Sequence, residues 1–224
     1  MATFKLNIAQ IRQCPAVEAI AAAMEEFGLP DGEPFGVLNH SATSAACFAT
    51  ILRRTQQTLQ TLDGESQEVT SSMVEKVTVY PIAIFPRRGV LEIYAGTASG
   101  IEQIAGFMGS SLAMPTIVDP IELDIPGTIE KLAGMCERFR LEAVRVRDYA
   151  HNSYMAGPYA PKFLDGQHGM DFLNEHIDNI SSARIGFFAE TGKVSVTLTN
   201  KACFAFACNE DEESNVQAIL RKLV

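Results

Sequence analysis

The familiar catalytic signatures are missing from this chain: there is no G-x-x-x-x-G-K-[ST] loop, no G-x-G-x-x-G, no G-x-S-x-G and no H-E-x-x-H. That removes the enzyme classes that announce themselves in short motifs, and leaves only sites assembled from distant positions. Paired cysteines are missing too. Cys14, Cys47, Cys136, Cys203 and Cys208 are odd in number and scattered, with no CxxC, which excludes a disulfide framework and a zinc ribbon and fits reduced thiols in a cytoplasm. No apolar run reaches the roughly 18 residues that a membrane-spanning helix needs. The most apolar early stretch, AVEAIAAAM, is broken by Glu18 and follows a strand-like segment where a signal peptide would have a basic start. Bases are scarce: 18 Lys and Arg stand against 27 Asp and Glu, a net charge of −9, which disfavours nonspecific attraction to nucleic acid or anionic lipid unless a local patch overrides the average. The expectation is a soluble cytoplasmic protein that avoids membranes.

Apolar residues make up 47% of the 224, ample for a core. TFKLNIA alternates Phe4, Leu6 and Ile8 against Thr3, Lys5 and Asn7, the period of a strand with one buried face. After Pro15 the spacing changes to that of a helix, with Val17, Ile20, Ala21, Met24 and Phe27 on one stripe and Gly28 just beyond its end. Residues 34 to 95, rich in Thr, Val, Ile and aromatics and broken at HSATS, LDGES and PRRG, predict about four strands. Pro81 inside one of them points to an edge or a bulge. Ile101, Ile104, Ala105, Met108 and Leu112 space a second helix, with Thr97 or Ser99 as its cap.

The second half starts with TIVDPIELD as a strand. IPGTIEKLAGMCERF then predicts a helix whose stripe runs through Ile129, Leu132, Cys136, Phe139 and Ala143, with Arg138 paired to Glu142 four residues on. A strand with Val144 and Val146 on one face follows, then a loop, a helix at about 167–180, and three strands joined by ETGK and TNKA. Asn209 and Glu212 form a capping box for a last helix striped by Val216, Ile219, Leu220 and Leu223.

Both halves therefore read strand, helix, about four strands, helix. This α+β order implies an internal duplication, with repeats at 1–114 and 115–224 and an inserted loop and helix at about 150–180. The connectivity resembles that of the TATA-binding-protein-like folds, and the resemblance implies a curved antiparallel sheet with helices on one face. It is one of topology, so no functional residue is carried over.

If helices cover one face, strand alternation names what is left on the other. Arg145, Arg147 and Tyr149 lie opposite Val144 and Val146. Arg184 and Phe188 lie opposite Ala183, Ile185 and Phe187. Lys193, Ser195, Thr197 and Thr199 lie opposite Val194, Val196 and Leu198. Guanidinium and ammonium groups among hydroxyls suit an anionic partner, while the plainer reading is a solvated sheet surface. The connection HNSYMAGPYAPKFLDGQH carries His151, Tyr154, Tyr159 and His168, as a functional loop or as a plain insertion. His168, Asp171 and Glu175 come near one helix face, but no set of three or four metal ligands has proper spacing. Neither a metal nor a cofactor is expected. Arg87 and Arg88 in PRRG mark an exposed basic turn.

The sequence thus points to a non-enzymatic binding or assembly protein, a complex subunit whose partly basic sheet face receives another protein or a nucleic acid; homo-oligomerisation is compatible with it. The alternative from a different class is an enzyme whose site lies between the 150–168 segment and the sheet, with His151 or His168 as general acid or base.

Overall fold

A computed structural model describes residues 1–62, 64, 69–96, 98–112, 117–152 and 154–224, the side chains of 98, 151, 152, 166 and 167 excepted. Thr97, considered as a cap, lies outside the described residues. The fold is α+β, with eleven antiparallel strands and five α-helices among the described residues. In chain order these are β1 (Ala2–Arg12), α1 (Val17–Phe27), β2 (Phe35–Ala42), β3 (Cys47–Leu62), β4 (Val69–Phe85), β5 (Val90–Ile93), α2 (Ala98–Gly106), β6 (Ile117–Pro120), α3 (Ile125–Met135), β7 (Glu137–Asn152), β8 (Met155–Tyr159), α4 (Gly166–Glu175), β9 (Ile180–Ala189), β10 (Gly192–Thr199), β11 (Cys203–Cys208) and α5 (Glu213–Arg221). None of these helices is long and apolar enough to cross a membrane. The chain divides into two compact units, one of Met1–Gln10, Tyr94–Ile101 and Asp119–Val224, the other of Ile11–Ile93 and Glu102–Val118.

In the first unit the strands run in the order β1-β11-β10-β9-β7-β8. Alternation sorts their side chains: Leu6, Phe204, Phe206, Val194, Val196, Leu198, Ile185 and Phe187 are buried, along with Ile129 and Leu132 of α3 and Val216 and Leu220 of α5. Phe4 and Phe206, directly paired between β1 and β11, stack with centroids 5.5 Å apart.

In the second unit β2, β3, β4 and β5 pair in sequence. Helix α1 lies on β2 and β3 through Val17, Ile20 and Met24, whose sulfur is 3.8 Å from Cys47 Sγ. Gly28, at φ +55°, ends the helix in the left-handed region that glycine enters without strain. Phe107, in a π-helical turn at Phe107–Ser111, packs against Phe27 at 5.3 Å and Phe35 at 5.2 Å. Strands β3 and β4 stay in register from Cys47 opposite Ile84 to Leu62 opposite Val69. Their neighbours are much shorter. β2 pairs with β3 only as far as Arg53, and β5 meets β4 only from Ile82 to Phe85. Pro81 therefore sits just where β4 loses its second neighbour, and its missing N–H costs no ladder bond on that side.

Three local expectations are corrected. Arg138 and Arg140 do not extend the helix, because α3 stops at Met135 and β7 begins at Glu137. Pairing of Glu137 with Phe188 overrides the helical spacing of Phe139 and Ala143, and Arg138 sits in a bulge at φ +50° with its guanidinium 5.3 Å above the Phe188 ring. The 150–168 connection is not a long loop. Strand β7 runs on to Asn152, β8 pairs back along it, and Lys162 bridges to Ala143. Lastly, Asn209 makes no capping bond and opens a 3-10 turn at Glu210–Glu212, ahead of α5. Both residues of the expected box serve the β9–β10 turn: Asn209 Nδ2 donates to the Thr191 carbonyl at 2.9 Å, and buried Glu212 accepts from Thr191 N–H at 2.8 Å.

Candidate functional site

Register places the predicted cations on the first unit's sheet. Arg145 pairs with Ser182 and Arg184 with Ala143 across β7 and β9; Arg184 pairs with Thr197 and Lys193 with Phe188 across β9 and β10. Directly paired residues share a face, so Arg145, Arg184, Lys193, Ser195 and Thr197 stand on the side opposite the buried Val144, Ile185, Val194 and Val196. Arg145 and Arg147 are exposed, and neither has a carboxylate within ion-pair distance among the described residues.

Arg184 and Lys193 are held differently. Glu142, at a register shift in β7, accepts from Lys193 Nζ at 2.8 Å on Oε1 and lies 3.2 Å from Arg184 Nε through Oε2; Arg184 Nε also donates to Ser195 Oγ at 3.1 Å. The carboxylate and the lysine stem lie over Gly186, where a Cβ would meet Glu142 Oε1 at 2.7 Å and Lys193 Cε at 3.2 Å. A glycine under the pair thus makes room for it. Sequence reading put Glu142 on the helix as the partner of Arg138; because α3 stops at Met135, Glu142 instead lies in β7, where a register shift brings it to Arg184 and Lys193.

Beyond Thr197 the same strand borders a cavity of about 230 Å³, lined by Lys5, Asn7, Gly96, Thr197, Thr199, Cys203, Phe204 and Ala205. Asn7 is buried, though alternation placed it with exposed Thr3 and Lys5, and its Nδ2 donates to the Ala95 carbonyl at 3.0 Å. Cys203 Sγ is 3.4 Å from the Lys201 carbonyl. All five cysteines are unpaired, and burial raises the pKa of each thiol, with Glu213 and Glu212 adding to the rise at Cys208. Protonated thiols of this kind are weak nucleophiles.

Tyr149, predicted beside the arginines, packs instead among the aromatics of the insertion. Its ring lies 4.5 Å from Tyr159, 5.3 Å from His176 and 6.3 Å from Phe172, and Phe163 joins Phe172 at 5.6 Å. A shift in the β7–β8 register between Val146 and Tyr149 breaks the period-two pattern that linked it to Arg147. Arg140 is also tied down, donating to the carbonyls of Phe163 and Leu164. Tyr154 is exposed, and the side chain of His151 lies outside the described residues.

His168 is exposed at the start of α4, where its Nδ1 contacts Asp165 Oδ2 and its N–H donates to Asp165 Oδ1 at 3.4 Å. The hydrogen bond and the charge of Asp165, with help from Asp171, raise the pKa of His168. No group of three or more His, Cys, Asp or Glu side chains suited to a metal ion occurs among the described residues. No protein-family model matches the chain, and no curated protein matches it.

Proposed function

We propose that this protein is a non-enzymatic binding or assembly protein, and that the outer face of the first unit's sheet receives an acidic segment of another protein. The observation that carries the reading is the pair Arg145 and Arg147, exposed and, among the described residues, without a carboxylate at ion-pair distance, in a chain that has 27 acids against 18 bases. Among so many acids, uncompensated guanidinium groups on a solvent-facing strand stay available for bidentate bonding to carboxylate or phosphate. Glu142 offsets part of the charge of Arg184 and Lys193, so the face is only mildly basic. That suits a short acidic peptide better than a duplex with its dense phosphates. The enzyme reading has less support: His168 is paired with a carboxylate at a solvated helix start, and the thiols are held protonated.

The same reading takes the chain as an internal duplication of cytoplasmic, TATA-binding-protein-like topology. Its support is element order. β1, α1, β2 to β5 and α2 correspond to β6, α3, β7, β9 to β11 and α5, with β8 and α4 inserted.

The test is binding of a polyglutamate peptide, and separately of duplex DNA and single-stranded RNA, to wild type and to Arg145→Ala/Arg147→Ala at several salt concentrations. The peptide should bind wild type and lose about 2- to 10-fold in the variant, the worth of two exposed charges. Nucleic-acid binding whose salt slope falls by about two would instead make phosphate the ligand. A double variant that binds like wild type, or a wild type that ignores all three probes, overturns the assignment.

A further inference from the structure

At the end of the first unit's sheet, where α3 gives way to β7, a cavity of about 460 Å³ opens between residues 135–138, residues 187–190 and Ile219 of α5. That volume lies within the range of small-molecule sites. Arg138 lines it at φ +50°, a conformation that glycine adopts freely and that strains any other backbone. Bulges of this kind re-aim side chains. Here the guanidinium is laid 5.3 Å from the centre of the Phe188 ring, which is itself 44% exposed. Stacking occupies one face of the guanidinium plane and leaves its fork of N–H donors open. The Arg138 side chain makes no hydrogen bond and no ion pair among the described residues. The same holds for the side chains of Glu137 and Glu190, which line the same cavity.

One unengaged guanidinium thus shares the cavity with two unengaged carboxylates, and α3 ends on it at Met135, so the partial negative charge of that helix terminus adds to theirs. The rest of the lining is largely apolar: Phe187 is buried, and Cys136 and Ile219 are half-buried. A plain anion would meet the carboxylates and a plain cation would meet Arg138, whereas a zwitterion with an apolar tail matches all three parts. We propose that this cavity binds a free hydrophobic α-amino acid, with its carboxylate on the Arg138 fork, its ammonium toward Glu137 and Glu190, and its side chain against Cys136, Phe187 and Ile219. The strained position is then accounted for: glycine would suit the backbone there but carries no guanidinium. Arg145 and Arg147 take no part in this site, so it stands or falls apart from the proposed anionic-partner face.

The experiment is NMR titration of the isotopically labelled full chain with L-phenylalanine and L-leucine. Three controls each lack one part: glycine the side chain, N-acetyl-L-phenylalanine the ammonium, and L-phenylalaninamide the carboxylate. Phenylalanine or leucine should bind with a dissociation constant of about 1 mM or below and move the amide signals of Glu137, Arg138 and Phe188. Each control should bind at least about tenfold more weakly. Arg138→Gly should lose at least about tenfold in phenylalanine affinity yet melt within about 4 °C of wild type, because relief of strain offsets the lost ring contact. Glu137→Gln/Glu190→Gln should weaken phenylalanine and narrow its advantage over the N-acetyl form. Arg87→Ala, in the basic turn of the other unit, should bind as wild type does. Failure of both amino acids to bind at about 10 mM overturns the inference, as does an N-acetyl or amide form that binds equally well. So does an Arg138→Gly protein that binds like wild type, or one that melts more than about 4 °C lower, which makes the arginine structural. Equal losses with Arg87→Ala and Arg138→Gly overturn the placement of the site.

Discussion

Replacing Gly186 with alanine probes the charged cluster over β9 directly. The added Cβ would stand 2.7 Å from Glu142 Oε1 and 3.2 Å from Lys193 Cε, both far ends of flexible side chains, so the carboxylate has to move while the backbone stays. Moving it stretches contacts of 2.8 Å to Lys193 and 3.2 Å to Arg184. Both cations are more than half exposed, at 54% and 57%, so each pair is screened and contributes about 0.2–1 kcal/mol. Against that loss stands the conformational freedom that glycine surrenders in a strand, about 0.5–1 kcal/mol relative to alanine. The two nearly cancel, and Gly186→Ala should change stability by no more than about 1 kcal/mol in urea unfolding with an unchanged m-value. With Glu142→Ala already in place only the flexible Lys193 Cε, at 3.2 Å, stands near the added Cβ, and the same substitution should stabilise by about 0.5 kcal/mol, so a double-mutant cycle reads the coupling as the difference between the two backgrounds. By contrast Phe187→Ala, one residue on and fully buried, should cost about 3–5 kcal/mol. A loss above about 2 kcal/mol for Gly186→Ala, or the same loss with and without Glu142, would refute the view that the glycine exists to seat this carboxylate.

Two pH effects follow from the other charged sites. The folded pKa of His168 is raised by Asp165, so the stabilisation from this pair is complete below the unfolded value of about 6.5 and fades as pH rises through the folded value; NMR titration should place His168 above 6.5, and Asp165→Asn should bring it back. Titration at or below 6.5 in wild type would dismiss the pair. The pKa of Glu212 is lowered, first by the Thr191 N–H bond and then by Asn215, so its contribution is present above the unfolded carboxylate value and is lost as pH falls through the depressed one. Glu212→Gln should therefore melt earlier than wild type at neutral pH, with the gap closing in acid; a gap independent of pH would mean that shape, and not charge, matters there.

Period-two patterning was enough to place Val144, Val146, Val194, Val196 and Leu198 in the core and to leave Arg145, Arg147 and Lys193 in solvent, because a strand backbone sends alternate side chains to opposite faces whatever surrounds it. It also separated β2, β3, β4 and β5, whose breaks at HSATS and PRRG carry turn residues that act locally. Wherever register mattered, the sequence alone had no say. The end of α3 at Met135, the bulge that swings Glu142 over Gly186, and the shift that turns Tyr149 into the aromatics of the insertion all depend on which residues of β8 and β9 lie opposite β7. The length by which β3 and β4 outrun their neighbours was equally hidden, since it depends on where β2 and β5 stop. Local propensity acts within a few residues; register and strand-length mismatch are settled between segments far apart in the chain, as with Glu137 opposite Phe188, and only the folded chain brings those together.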